Sequence, residues 1–512
     1  MPRNLRELLE LRAAAAPDQT FLVNEADGRV YTYRGFDAAV NRAARMLFEQ
    51  GVRRGDVVSL LMPNGAEYVI GYFACFKLGA VAGPVNSLLK PEEMAYVVGH
   101  SGASFMLFSR QFGGQVCEIR QAVRSLGSVQ VFDDETQDAA RYDAAPDPAW
   151  GDAPLTRDDE AIIIYTSGTT GRPKGCLLTH GNLLANARQI TEWLGFTEDD
   201  RLLTVMPLFH MNAVSVTTVS ALYAGGSTVT APRFSASRFW RTVSDHGVTS
   251  FGSVATMLSM LLATYPGGVP ADCDTRRLRF AMCGSAPVPA EVLRRFEETF
   301  GCLVVEGYGL SESTCRSTFN PPDARRRPGS CGQPIGNEMR VVDDDDRELP
   351  DGEPGEIVLR GENVFKGYFR NEEATRRAFR GGWFHTGDVG YRDADGFYYI
   401  VDRKSDMIIR GGENIYPREI DEVLYRHPAV AEAAAVGVPD ELYGEEVAAF
   451  VVLREGAGAT AEEIVEFCRS HLADFKCPKS VHFAEALPKG PTGKVLKREL
   501  ARRFREGEGS RQ

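Results

Sequence analysis

The chain has no excess of positive charge: 58 Lys and Arg face 70 Asp and Glu, so its 512 residues carry a net charge of −12. Nucleic acid and anionic membranes both require a cationic surface, so neither is an expected partner. The Arg-rich end, ARRFREGEGSRQ from Ala501, reads as a solvated terminal helix and tail. No apolar run reaches the roughly 20 residues of a membrane-spanning helix. The most apolar stretch, Val69 to Gly83, is interrupted by Lys77 and reads as a buried helix, so no stable membrane insertion is expected. The opening MPRNLRELLELRAAAAPDQ alternates charge with leucine and lacks an uninterrupted apolar region, which predicts a helix rather than a secretory signal. The 10 cysteines include no C-x-x-C pair, and five of them sit among apolar neighbours. Reduced thiols and a cytoplasmic location follow. Internal repeats and low-complexity tracts are also missing.

What is there is the composition of a globular protein with a large core: 43% apolar and 25% charged residues. At roughly 150 residues per domain the length allows two to four domains. From Leu5 to about Pro154, helical patterns alternate with short apolar strands such as VVSLLM (57–62) and SFMLFS (104–109), which predicts an α/β fold. A polar stretch from Asp133 to Glu160, with three prolines, reads as a surface connection. Beyond it come the strands AIIIY (161–165) and CLL (176–178), and an amphipathic helix from near Gly181. More α/β units run to about Leu310, followed by β-rich segments at 339–343, 356–361 and 397–403. The last hundred residues read as helix, two strands and helix, enough for a small α+β unit.

Between two of those strands lies YTSGTTGRPKG, Tyr165 to Gly175, which packs three glycines, four Ser/Thr hydroxyls and one lysine into a loop. Glycines let backbone N–H groups approach an anion, hydroxyls donate to its oxygens, and Lys174 adds a point charge. A triphosphate suits this chemistry, although Gly, Ser and Thr also dominate ordinary loops. The Walker pattern G-x-x-x-x-G-K-[ST] fails: counted from Gly168, its second glycine falls on Pro173 and its Ser/Thr on Gly175. No G-x-G-x-x-G suggests a dinucleotide fold.

YTSGTTGRPKG closely resembles the phosphate loop of the adenylate-forming superfamily, which includes acyl-CoA synthetases, amino-acid adenylation domains and luciferase-like enzymes. Later motifs of that family follow in its order across nearly the whole chain. The resemblance implies a large ATP- and acid-binding α/β domain with a β-rich subdomain, residues 1–404. It implies also a small mobile α+β domain, 405–512, which rotates about a hinge near Ser405. ATP contacts would come from Thr166, Ser167, Gly168, Thr169, Thr170, Gly171 and Lys174, and from Gly284, Ser285 and Ala286 in CGSAP (283–287), the turn that packs on adenine. In EGYGLSEST (306–314), Tyr308 would stack on adenine beside Gly309, Ser311 would contact the α-phosphate, and Glu312 would hold Mg²⁺. A hard cation wants such a carboxylate together with phosphate oxygens, though a lone glutamate at a helix start is also an ordinary surface residue.

WFHTGDVG (383–390) and YYIVDRKSDMIIRGGENIYPREID (398–421) match the family's ribose-binding and hinge segments, with Asp388 accepting from the ribose hydroxyls and Arg403 alongside. The hinge position, usually Asp or Lys, is Ser405 here. Gly411, Gly412 and Glu413 would border the pantetheine channel, where a Cβ would obstruct the passage; a plain strand turn is the alternative. In LPKGPTGKVLKREL (487–500), Lys494 falls on the catalytic lysine that stabilises the adenylation transition state.

A carboxylate has no usable leaving group for acyl transfer until an attack on the α-phosphorus of ATP converts it to an acyl adenylate with release of pyrophosphate. A thiol then displaces AMP. PLFHMNA (207–213) resembles the aromatic-histidine motif of the acyl pocket, so His210 is expected to orient the acid rather than act as base, since a carboxylate is already ionised at pH 7. Met211, Val214, Ser253, Val254, Gly284 and Thr314 would line the pocket. Phe209-His210 stands where amino-acid adenylation domains carry an Asp, so a non-amino acid follows, short or medium aliphatic or enoic by the character of 211–222 and 251–261. The thiol belongs to CoA or to a phosphopantetheinylated acyl-carrier protein, with Lys476 and Lys479 as candidate contacts for either. A non-catalytic nucleotide-binding scaffold is the outlying alternative.

Overall fold

The computed structural model describes residues 2–133, 142, 144–145, 154–166, 173–284, 288–490 and 495–506. Among them, two large sheets stand at the centre. One has seven strands in the order 367–368, 174–179, 160–166, 81–84, 57–61, 105–108 and 128–131; the other has nine, running from 333–334 through 318–319, 303–308, 280–283, 250–253, 201–204, 227–230 and 20–24 to 30–32. Their inner strands pair in parallel and are buried on both faces, which is why AIII and FAMC read as unbroken apolar runs.

Helices Tyr33–Glu49, Ala66–Leu78 and His180–Leu194 share one hydrophobic core with both sheets. The helix expected to be amphipathic near Gly181 is instead buried on nearly every side, with Arg188, Glu192 and Trp193 the exceptions. It starts at a capping box in which Thr179 and Asn182 exchange side-chain and backbone hydrogen bonds at 3.1 and 2.9 Å. The apolar stretch at 69–83 is a fully buried helix, Ala66–Leu78, that stops at Gly79 in the left-handed region and continues as the strand Val81–Pro84. Lys77 inside it is 1% exposed and is paired with Glu10 at 2.7 Å and Asp37 at 2.9 Å, the pairing a buried ammonium needs.

A five-stranded sheet of 338–342, 355–360, 379–380, 383–392 and 398–403 carries the β-rich segments. From Ile408 onward the chain builds a further sheet, 408–410, 413–415, 430–440, 444–453 and 480–483, with helices Pro417–Arg426, Ala461–Arg469 and Lys497–Arg505. Its two apolar clusters, around Ile420 and Val447 on one face and Phe450 and Leu500 on the other, share no residue with the large core. In the last helix Arg502 and Arg503 pair with Glu499 of the same helix. None of the 10 cysteines is in a disulfide. Among the described residues no helix is long and apolar enough to cross a membrane. Most of the connection expected between Asp133 and Glu160 lies outside the described residues.

Candidate active site

The strands Glu160–Thr166 and Lys174–Thr179 form an antiparallel hairpin that sets Thr166 opposite Lys174. Ser167, Gly168, Thr169, Thr170 and Gly171, in the loop they support, lie outside the described residues, as do Ser285, Ala286 and Lys494. Next to the hairpin, Gly367–Tyr368 adds an edge strand that brings the Tyr368 ring under the Lys174 ammonium, 5.0 Å from the ring centroid. The Tyr368 hydroxyl donates to Glu312 Oε1 at 3.0 Å, and the Glu312 carbonyl accepts from Phe365 N at 2.7 Å. Lys174 and Glu312, 138 positions apart in sequence, are thus joined through one tyrosine. Burial first, and the Glu312 carboxylate second, push the Tyr368 hydroxyl well above its ordinary range, so it stays a donor. Tyr368 carried no sequence signal.

Glu312 sits in a single 3₁₀ turn, Ser311–Ser313, followed by Thr314 at φ 66°, a left-handed conformation that a β-branched residue adopts only when held. The Thr314 hydroxyl is bonded to the Asn363 carbonyl at 2.7 Å. At the end of strand Leu303–Tyr308 the Tyr308 phenol donates to Asp388 Oδ2 at 2.6 Å, while Arg403 Nε meets Asp388 Oδ1 at 3.0 Å. Asp388 and Arg403 face each other across two antiparallel strands. Burial, then the neighbouring Asp388, raise the phenol far above its usual value. The Gly309 position is equally constrained, because a Cβ would run into the Cys315 carbonyl.

Some of these groups line one cleft, whereas Lys174, Glu312 and Tyr368 are not on its wall. Gly284, Tyr308, Gly309, Asp388 and Arg403 form one wall, and Arg418, Asp421, Tyr425, Val495 and Lys497 of the C-terminal unit form the other. Lys497 pairs with Asp421 at 2.7 Å, and Leu496 N donates to the Pro488 carbonyl at 2.8 Å, so the base of the segment carrying Lys494 is tied down. Glu306, also on the cleft, is buried beside the Gly329 N–H at 2.9 Å; burial pushes its carboxyl up to about 8. Neither Glu306 nor the Asp421–Lys497 pair stood out in the sequence.

A profile of the AMP-binding enzyme family matches residues 9–369, and a profile of its C-terminal domain matches 419–494. The chain belongs to the AMP-binding enzyme family. It is 40% identical over 504 residues to the sulfoacetate–CoA ligase of Cupriavidus necator, covering 97% of each chain, and 36% identical over 513 residues to the oxalate–CoA ligase of Arabidopsis thaliana, covering 98% and 99%. The ATP-bound crystal structure of MatB from Rhodopseudomonas palustris superposes with a TM-score of 0.91 at 32% identity, over 98% of this chain and 99% of that one. The apo structure of the same MatB gives 0.77 at 31% identity over the same shares. Fold, family and reaction class therefore agree: the AMP-binding enzyme is an acid–thiol ligase of the acyl-CoA synthetase type that uses ATP and forms AMP.

Of the residues expected around the acid, Val254 and Gly284 line the cleft of the AMP-binding enzyme, whereas His210, Met211, Val214, Ser253 and Thr314 are not on its wall. Val214 lies within an eight-residue π-helix, Asn212–Val219, which Met211 caps; Ser253 is bonded to the Met282 carbonyl and Thr314 to that of Asn363. The wide helix has a local cause. The hydroxyls of Thr217 and Thr218 both bond the Ala213 carbonyl, at 3.1 and 2.8 Å, and that of Ser220 bonds Ser215 O at 2.9 Å, competing with the regular ladder. His210 stands two residues before this helix; burial lowers its imidazole to about 4, so it is neutral at pH 7, and Nε2 has no partner among the described residues.

Ser405 donates to Asp406 Oδ1 at 3.0 Å, just beyond the Arg403 pair. Gly411 and Gly412 are the two-residue turn of the hairpin Ile408–Arg410/Glu413–Ile415, at φ 59° and 93°. In this arrangement nothing lies within 4 Å of a Cβ on Gly412, and one on Gly411 would meet only the Tyr443 ring, at 3.1 Å. The positive φ of the turn itself favours glycine, and the hairpin with Glu413 does not line the cleft. Lys476 and Lys479 are taken up by Glu419 and Asp440, at 2.7 and 2.8 Å, and are not free cations.

Proposed function

We propose that this ligase activates a non-amino carboxylic acid, short or medium aliphatic or enoic, and passes the acyl group to CoA. The first half-reaction is R–COO⁻ + ATP → R–CO–AMP + PPi; in the second, the thiol of CoA displaces AMP to give R–CO–S–CoA. The observation that carries the reading is the convergence on one cleft of Tyr308, Asp388 and Arg403 with a C-terminal segment held by Asp421–Lys497.

In this reading Asp388 accepts from the ribose, with Arg403 fixing its carboxylate, and Tyr308 packs on adenine. Thr166, the 167–171 loop and Lys174 hold the phosphates, and Ser311 contacts the α-phosphate. Lys494 approaches the reacting carboxylate and phosphate and stabilises the charge that grows in the transition state. Neutral His210 orients the acid.

The donor chemistry suits Mg²⁺, which asks for one or two carboxylates plus phosphate and water oxygens, and Glu312 offers such a carboxylate. Glu312 is the residue that would hold it, oriented by Tyr368, and the ion when bound neutralises charge on the departing pyrophosphate.

Two conformations divide the work. The better fit to the ATP-bound than to the apo relative supports an arrangement suited to the first half-reaction, with the Gly411–Gly412 hairpin swung in for the second by rotation near Ser405, residues 1–404 and 405–512 moving as units. Unpaired thiols fit a reducing, cytoplasmic setting. The test is acid-dependent pyrophosphate release over a panel of acids, with and without CoA. Acceleration by a holo carrier protein and not by CoA would assign the acceptor to the carrier instead, and silence across the panel would favour a scaffold.

A further inference from the structure

Arg316 is 1% exposed, yet its Nε and Nη2 donors have no hydrogen-bond partner among the described residues. Its one side-chain hydrogen bond is a long one, Nη1 to the Cys315 carbonyl at 3.5 Å, and its guanidinium carbon lies 5.4 Å from the Phe319 ring centroid, which softens the charge without neutralising it. A guanidinium stays protonated in any protein environment, and buried charges are ordinarily paired. An unpaired one is a standing cost to the fold unless a ligand supplies the anion.

The backbone that carries this side chain is held in place. Asn186 brackets the Arg316 main chain, accepting from its N–H at 3.3 Å and donating to its carbonyl at 2.7 Å, and Asn363 donates to the same carbonyl at 3.2 Å. Arg316 Nη2 lies 2.8 Å from where a Cβ on Gly284 would stand, so it occupies the space under a cleft-lining glycine.

More unpartnered polar atoms share this face of the sheet. Gly252 pairs with Met282, and Gly284, two residues on, points the same way. A Cβ on Gly252 would sit 2.8 Å from Asn212 Oδ1, and both polar atoms of the Asn212 side chain, 5% exposed, lack partners among the described residues. His210, two residues before Asn212, adds its unpartnered Nε2.

We infer that Arg316, with Asn212 beside it, binds a second anionic oxygen group on the acid, a carboxylate or a sulfonate remote from the carboxylate that is activated. This rests on the ligase reading and narrows its substrate. The reacting carboxylate must meet the α-phosphate in the open cleft, whereas Arg316 is fully buried beneath Gly284, so its partner is the far end of the molecule. Planar bidentate donors match either oxyanion.

The experiment compares each charged acid with an acid of similar shape whose far end is uncharged: malonate with 3-methylbutyrate, succinate with 4-methylvalerate, and sulfoacetate with 3,3-dimethylbutyrate. Pyrophosphate release and the acid-induced shift in melting temperature, with AMP present, are both read. One charged arm, carboxylate or sulfonate, is expected to exceed its partner at least 100-fold in kcat/KM. Arg316→Met should remove that preference through KM, leave the uncharged acids as good or better, and raise the melting temperature of the unliganded protein; Arg316→Lys should restore part of the preference. Preference of the wild type for uncharged acids, or equal loss with both classes in Arg316→Met and Arg316→Lys, would overturn the inference. Melting shifts with charged acids but no pyrophosphate from any acid would sink the ligase reading and leave the anion subsite standing.

Discussion

Tyr308 and Asp388, 80 residues apart, are joined by a 2.6 Å hydrogen bond that ties the end of a nine-stranded sheet to a strand of the five-stranded one. The bond positions the Asp388 carboxylate, and under the proposed ribose role it would compete with the nucleotide for that oxygen. Tyr308→Phe removes one hydrogen bond worth about 1 kcal/mol net and should shift KM for ATP by less than about tenfold. Asp388→Ala strands Arg403 and deletes the acceptor, and should raise KM for ATP by at least about 30-fold, since hydrogen bonds to a charged group are each worth roughly 1.5–3 kcal/mol. Initial rates at varied ATP measure both.

Glu312 is placed by Tyr368 rather than by its own turn. Glu312→Gln should lower acid-dependent pyrophosphate release by about 10²–10³, the loss typical of one group that stabilises transition-state charge. The Mg²⁺ concentration giving half-maximal rate should rise, and thiolation of a supplied acyl adenylate should be nearly unchanged.

In the proposed mechanism Lys494 and Gly411 belong to opposite half-reactions. Lys494→Ala should abolish pyrophosphate release while leaving thioester formation from a supplied adenylate largely intact. Gly411→Leu should do the reverse, and part of its effect will be the strain of a Cβ at φ 59°. Circular dichroism and melting curves separate strain from a lost channel, and parallel loss of both half-reactions in either variant would contradict the division of labour.

Burial pushes the Glu306 carboxyl up to about 8 from an ordinary value of 4.5, so between those values the folded chain holds a proton that the unfolded chain has released. The stability tied to that proton is complete below about 4.5 and is lost as pH rises through about 8. Wild type should therefore melt lower at pH 9 than at pH 6. Glu306→Gln, neutral throughout, should show a smaller drop; an equal drop would mean that other groups set the slope.

Sequence patterns exposed the α/β class and most strand positions, because each lies in a local run whose pattern is visible without neighbours; the loop chemistry around Lys174 and the resemblance of later motifs to the adenylate-forming family picked out Tyr308, Glu312, Asp388 and Arg403 as candidates. Contacts between runs were hidden. Tyr368 looks like any aromatic in FKGYF, and only the edge pairing of Gly367–Tyr368 with the 174–179 strand brings it to Lys174 and Glu312. Arg316 looks like a solvent arginine until its burial under Gly284 is seen. The π-helix at Asn212–Val219 shares its apolar composition with any core helix, and its hydroxyl-to-carbonyl bonds are a property of the folded backbone. Gly411 and Gly412 form a turn at positive φ, the strand turn that the sequence offered beside the channel.

Pyrophosphate release from the purified protein with ATP and Mg²⁺, measured acid by acid and then with CoA added, tests the central claim most directly. The account predicts release only when an accepted acid is present, faster turnover with CoA, and stoichiometric AMP and acyl-CoA. Pyrophosphate release that ignores the acid, or acid-dependent release that no thiol accelerates, would contradict it.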